Sequence, residues 1–374
     1  MNTSVNKNYF LGLDGFRAVL TLFAFIYHVE MVKAVVGISN AYDFFVRTNF
    51  GELTITGFFV LSGFLITYLL LKERRDHGKI EVLKFYKRRA LRIWPLYYLY
   101  LFIAVIFFWG NDFFSFPWPQ FSYMNHSALK IMILHFIGMP NIAYLIVLIP
   151  FLSHTWTIGV EEQFYLIWPV ILRYSKRMIR FSTYLILALL FIKSGYHYFK
   201  GYISDPSVRF WADLIDKYLY YFRIECMAAA GIVAYLFLNN KYNSLIYSVK
   251  FQLVCFASII GMHICSYFFH YVSNTLYAFL LSCLAMNIAG DKSILSFDNQ
   301  YLAYLGKISY GFYIAHMAII SSVSKLVQSC FLESSLILKN ILIYGVSFAL
   351  TLGAGALSYR YFETPFLKMK GRFE

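Results

Sequence analysis

The sequence predicts an all-α membrane protein with about ten transmembrane helices, both termini cytoplasmic, and one re-entrant or surface-lying outer segment near 128–153. Three observations predict it. Of 374 residues, 60% are hydrophobic and only 14% charged, where a soluble domain carries about 25% charged residues, and the mean hydropathy is +0.59. The apolar residues gather into runs of about 20, the length that crosses a hydrocarbon core as a helix. The charge excess, 33 Lys and Arg against 19 Asp and Glu, falls in alternate connections between those runs. This composition excludes a disordered chain, a coiled coil and an ordinary cytosolic enzyme. A nucleic-acid partner is excluded too, because a basic nucleic-acid module does not bury most of its length in apolar runs.

The runs lie at 10–29, 53–71, 93–110, 156–172, 181–199, 223–239, 250–269, 273–290, 308–330 and 337–359. With the N-terminus inside, 22 of the 33 basic residues fall on the cytoplasmic side and six on the other, as the positive-inside rule requires. The stretch 128–153 is also apolar, but Pro140 and Pro150 break it. Counting it as a full span would put Arg173, Lys176, Arg177 and Arg180 outside, hence its assignment to the outer surface. The first run contains Asp14, Arg17 and His28 and lacks a small-residue cleavage site, so no cleaved leader is expected. There is no linker, low-complexity tract or soluble extension, and a single membrane domain over 1–374 is expected to do everything.

Ionisable groups inside a bilayer are costly, so each is a functional candidate. In the first span Arg17 and His28 are eleven residues apart, about 20° from three full helical turns, so they share a face with His28 roughly 16 Å further along. One stripe therefore carries a fixed cation and, above it, a group able to move protons near neutral pH. The plainer reading pairs Arg17 with Asp14 and leaves His28 at the interface. At the mouth of the third span, FYKRRALRIWP, Arg89 and Arg92 stand one turn apart. Their planar guanidinium groups suit a phosphate or pyrophosphate, whereas Lys84, Lys87 and Arg88 read as a topology signal touching anionic head groups.

The fourth span opens with SHTWTIGVEEQFYLIWP. Glu161 and Glu162 are either a helix-start cap or, with His154 and Trp156 beside them, the source of a carboxylate that orients His28 and raises its basicity. Arg223 and Glu225 open the sixth span, and His316 lies within the ninth. Together with His154 and Trp156, Arg223 and His316 are candidates to line a substrate site. The plainer reading of His316 is a helix histidine bonded to a neighbour. Cys226, Cys255, Cys265, Cys283 and Cys330 have no CxxC or metal spacing and are expected to be reduced core residues. No metal is expected.

Seven stretches, in order along the chain, carry a resemblance. They are LDGFRAVLTLFAFIYHVE (11–30), GFFVLSGFLIT (57–67), FYKRRALRIWPLYYL (85–99), TWTIGVEEQFYLIWP (155–169), FRIECMAAAGIVAY (222–235), LGKISYGFYIAHM (305–317) and SYRYFETPF (358–366). Together they resemble the acyltransferase-3 family of integral membrane acyltransferases. The family's Arg-x10-His motif falls on Arg17 and His28, its RxxR motif on Arg89 and Arg92, and its carboxylate segment on Glu161 to Tyr165. The chain departs from the family's S-x-S-V-E-E at Thr155, Thr157 and Gly159. It also ends soon after Phe366, so the resemblance is to a stand-alone form without the esterase-like extension.

The resemblance implies a multi-pass protein of the bacterial cytoplasmic (inner) membrane that takes an acetyl group from cytosolic acetyl-CoA. The acceptor it implies is a hydroxyl of a glycan or lipid-linked sugar, such as the O-antigen of lipopolysaccharide. Arg89 and Arg92 would then hold the nucleotide phosphates, Arg17 would guide the pantetheine arm, and His28 would be the general base with Glu161 or Glu162 behind it. The rival expectation is a polytopic transporter or flippase of a polysaccharide precursor or small metabolite. Transporters commonly show inverted repeats, and no convincing repeat is visible.

Overall fold

The computed structural model of the chain describes residues 9–114, 128–264 and 271–373. Cys265 and the end of the predicted span 250–269 lie outside the described residues. Among the described residues every regular element is a helix or helical turn. In chain order the α-helices are α1 (Leu11–Val35), α2 (Tyr42–Arg47), α3 (Phe50–His77), α4 (Val82–Ile103), α5 (Ala128–Phe136) and α6 (Pro140–Ile146). Then come α7 (Trp156–Tyr174), α8 (Met178–Lys200), α9 (Pro206–Tyr221), α10 (Ile224–Leu238) and α11 (Asn243–Ile246). The last are α12 (Val249–Ile264), α13 (Val272–Ala289), α14 (Gln300–Cys330), α15 (Leu336–Leu357) and α16 (Thr364–Met369).

Each of the ten predicted spans falls on a helix. Among the described residues seven helical stretches are long and apolar enough to cross a bilayer: 11–35, 50–77, 82–108, 178–200, 206–238, 272–289 and 336–369. The other three predicted spans correspond to α7, α12 and α14. Helix α7 carries Glu161, Glu162 and Gln163, and α14 carries a polar row of Ser, Tyr and His, so both are less apolar than a helix that faces lipid on every side. Helix α12 has 16 described residues. The apolar segment after residue 127 forms α5 and α6, nine and seven residues long. At about 1.5 Å per residue neither crosses a core of about 30 Å. Gly138, at φ 76°, and Pro140 at the first turn of α6 separate them.

Helix ends follow local chemistry. Helix α3 stops at Gly78, whose φ of 76° needs no Cβ, and its last turn carries Arg74, Arg75 and His77 against the helix dipole. Asp205 caps α9 by accepting from the Ser207 and Val208 amides ahead of Pro206, and Ser335 caps α15 by accepting from Leu338.

The described chain divides into two compact units. The first holds residues up to 20, 47–82 and 163–306. Its core is α10 against α3 and α13. Helix α10 is buried almost all round, and its small residues let backbones approach: a Cβ on Gly63 of α3 would lie 2.3 Å from the Met227 carbonyl oxygen. The Trp168 indole donates to Thr67 Oγ1 at 2.8 Å across the same core. Helix α8 leaves Tyr184, Leu187, Phe191 and Ile192 exposed, an apolar face for lipid.

The second unit holds 21–46, 83–162 and 307 onward. Here Tyr100 of α4 donates to the Phe151 carbonyl at 2.7 Å, and the Tyr310 hydroxyl of α14 donates to the Ile93 carbonyl at 2.8 Å. These bonds tie α4 and α14 to the segment that carries the candidate site.

Candidate functional site

Within the second unit three histidines meet. His28 ends the fifth turn of α1, His316 lies midway along α14, and His154 sits in the short turn Ser153–Thr155 that leads into α7. His28 Nδ1 lies 3.0 Å from His316 Nε2, with ring centroids 4.8 Å apart. His154 and His316 are edge to face at 5.0 Å. Only 1% of His316 and 5% of His154 is exposed, whereas His28 keeps part of its surface open. Of the three residues, His28 alone is not fully buried.

The cluster is held by main-chain carbonyls. His316 Nδ1 donates to the Tyr313 carbonyl one turn back, and His154 Nε2 donates to the Ile314 carbonyl at 3.2 Å. A carbonyl can only accept, so the proton on each of those ring nitrogens is assigned by its partner. His154 Nδ1 is then left as a buried acceptor with no hydrogen-bond partner. The Tyr313 hydroxyl donates to the His154 carbonyl and receives the Thr157 hydroxyl at 2.8 Å. Residues 313–316 of α14 are thus stitched to residues 154–157. Tyr313 escaped the sequence reading; its position three before His316, on the same helix face, is the signal that could have found it.

Near the C-terminal end of α1 the helix is clamped by charge. Glu30 pairs with Lys33 at 2.7 Å, both nearly buried, and also accepts from the Ala41 amide at 2.5 Å and the Tyr344 hydroxyl at 2.7 Å. That fixes the turn carrying His28. On the same helix Arg17 pairs with Asp14 at 2.6 Å, the pairing that the plainer reading of the sequence described.

The glutamates sit in the second turn of α7, inside the helix rather than at its cap. Glu162 Oε2 accepts from the Trp94 indole of α4 at 3.1 Å and lies within electrostatic reach of Arg89. His28 Nδ1 meets His316, and Glu162 meets Trp94 of the RxxR helix. Arg89 lies over the Phe85 ring, 5.6 Å from its centroid. Arg92 is exposed and lies within electrostatic reach of Glu363. Trp156 opens α7 and stacks on Tyr144 at 6.0 Å.

Arg223 belongs to the first unit. It is wholly buried and paired with Glu52, beside a second buried pair, Lys193 with Glu225 at 2.6 Å. Lys193 also donates to the Phe222 carbonyl. Both pairs hold the start of α10. Among the described residues no group of three or more His, Cys, Asp or Glu side chains is arranged to hold a metal ion. The two close histidine nitrogens are hydrogen-bonded to each other instead of converging on a common point.

Comparison with known proteins adds to this geometry. Residues 10–360 match a family model described as an acyltransferase domain. A protein of Staphylococcus aureus strain COL named "Putative O-acetyltransferase" is 28% identical, over 96% of this chain and 58% of its own length. The O-acetyltransferase OatA of Staphylococcus aureus strain NCTC 8325 is 25% identical, over 97% of this chain and again 58% of its own length. The chain thus spans little more than half the length of these relatives. No solved structure matches.

Proposed function

The chain belongs to the acyltransferase-3 family, and from that premise we propose that it is a membrane-embedded O-acetyltransferase. It carries an acetyl or related acyl group from cytosolic acetyl-CoA to a hydroxyl of a cell-surface or lipid-linked polysaccharide. The observation that carries this reading is the contact of His28 with His316 at 3.0 Å, eleven residues beyond Arg17 on one helix.

His28 is the general base. It takes the proton of the acceptor hydroxyl as that oxygen attacks the thioester carbonyl; the C–O bond forms, the C–S bond breaks, and the proton passes to the departing sulfur to give free CoA. No covalent enzyme intermediate is required. General-base help of this kind contributes about 10²–10⁴-fold. Arg89 and Arg92, one turn apart near the start of α4, bind the nucleotide phosphates of the donor. Trp94, two residues beyond Arg92, and Glu162, which accepts from its indole, close that site toward the membrane. Arg17, paired with Asp14, guides the pantetheine arm of the donor. His154 and Trp156, with the aromatic side chains around them, line the acceptor side.

The test uses purified protein in lipid with acetyl-CoA, a glycan acceptor and a thiol reagent. Transfer predicts thiol release that depends on the acceptor. Movement of the acceptor across the bilayer with the thioester intact would identify a transporter instead.

A further inference from the structure

We infer that His316 is a positioning residue that locks His28 in the tautomer with its proton on Nδ1, leaving Nε2 as the basic nitrogen. The inference rests on His28 being the base and goes further, because it names the nitrogen and the residue that selects it.

The assignment follows from three contacts. The Tyr313 carbonyl accepts from His316 Nδ1, so in the neutral ring that nitrogen bears the proton. His316 Nε2 is then a lone pair, since a neutral imidazole has one donor and one acceptor. That lone pair lies 3.0 Å from His28 Nδ1, so the bond between the rings is made by the proton on His28 Nδ1. The Ala24 carbonyl one turn back also accepts from the His28 ring, so His316 shares the Nδ1 proton with a main-chain acceptor, and Nε2 of His28 carries the lone pair, on a residue that is not fully buried. The polarity runs one way: His28 donates to His316, and His316 donates to the main chain of α14.

When His28 takes a proton on Nε2 it becomes a cation, and the same chain then stabilises it, because its Nδ1–H already points at an acceptor. A neutral acceptor does this without drawing the proton off His28, as a fixed orienting group must. The bond also holds the ring against rotation. Tyr313 is itself anchored by its hydroxyl to the His154 carbonyl and by Thr157, so the last acceptor in the chain is fixed. The sequence separation of the two histidines, 288 residues, explains why no local motif reveals the pair.

Three substitutions at His316 separate this role from packing. Gln places an amide oxygen near the former Nε2 and keeps an acceptor for His28. Asn places its amide near the former Nδ1 and keeps only the bond to Tyr313. Phe keeps the ring volume and removes both. The expected result is that H316F and H316N lower kcat by roughly 10²-fold with KM for acetyl-CoA within about threefold of the parent, while H316Q recovers at least about tenfold of the loss. H316N as active as H316Q, or H316F within about twofold of the parent, would overturn the assignment. In the unsubstituted protein, ¹⁵N spectra of labelled histidine are expected to place the His28 proton on Nδ1; a proton on Nε2 would overturn it without any variant. Parent activity in H28A would remove the base reading itself, and this inference with it. An inactive H28A beside a fully active H316F would remove only the role of His316.

Discussion

A histidine works as a base only when one ring nitrogen is free, reachable and fixed in direction. For the base role proposed for His28, direction is supplied by His316 and by the clamp at Glu30, Lys33 and Tyr344. The donor side makes a separate demand, because phosphate binding asks for guanidinium groups and not for a base. Arg89→Ala and Arg92→Ala are therefore expected to raise the KM for acetyl-CoA by about 10–100-fold each, the loss of charge-assisted bonds of about 1.5–3 kcal/mol, with kcat little changed. Lys84→Ala, on the exposed side of the same helix, is expected to change it less than about twofold. Initial rates against acetyl-CoA concentration check both. Equal effects at Lys84 and Arg92 would reduce the RxxR pair to general surface charge. The Arg17–His28 stripe and the RxxR step are legible in the sequence because each sits on one helix, where spacing fixes the face. The contacts to His316 and from Glu162 to Trp94 are not legible. They depend on which helices are neighbours, and spacing says nothing about that.

At the scale of elements, the first unit is held by close backbone approach and buried ion pairs. Adding a methyl group in Gly63→Ala would force a Cβ into the Met227 carbonyl and push α3 from α10. It is expected to cost about 1–3 kcal/mol, read as a lower thermal midpoint in detergent. Lys193 and Glu225 are both almost wholly buried, so either Lys193→Met or Glu225→Gln leaves an uncompensated charge. Each is expected to cost about 3–5 kcal/mol, with the double change to Met at both positions close to the parent. A double variant as unstable as the singles would show that the pair is needed for more than charge balance. The element pattern itself was readable, since every predicted span lies on a helix and Pro140 rightly marked 128–153 as too broken to span. The polarity of α7 and α14 shows where hydropathy alone stops. Helices lined with Glu161, Glu162, Tyr313 and His316 spend part of their surface on a polar site and look less like membrane spans than they would if lipid surrounded them.

For the whole molecule, the one-sided distribution of base fixes an expected orientation. Both termini, the 72–92 segment and the 173–180 segment are expected in the cytoplasm, where acetyl-CoA is made. Gly78→Cys is accordingly expected to resist a membrane-impermeant maleimide in intact cells, and Asn40→Cys to react with it above the background of the parent chain. The reverse pattern would place the RxxR helix away from its donor and break the proposed route. With the expected orientation, His28 lies toward the outer end of α1, and in the proposed mechanism the acyl group crosses most of the bilayer along the protein before it is transferred.

The most direct test of the account is acyl transfer by purified His28→Ala beside the parent protein. Each would be reconstituted in lipid with labelled acetyl-CoA and a glycan acceptor, and compared at matched thermal stability. The account predicts acceptor-dependent release of CoA by the parent and a loss of at least about 10²-fold in the variant. Transfer by the variant at the parent's rate would contradict it.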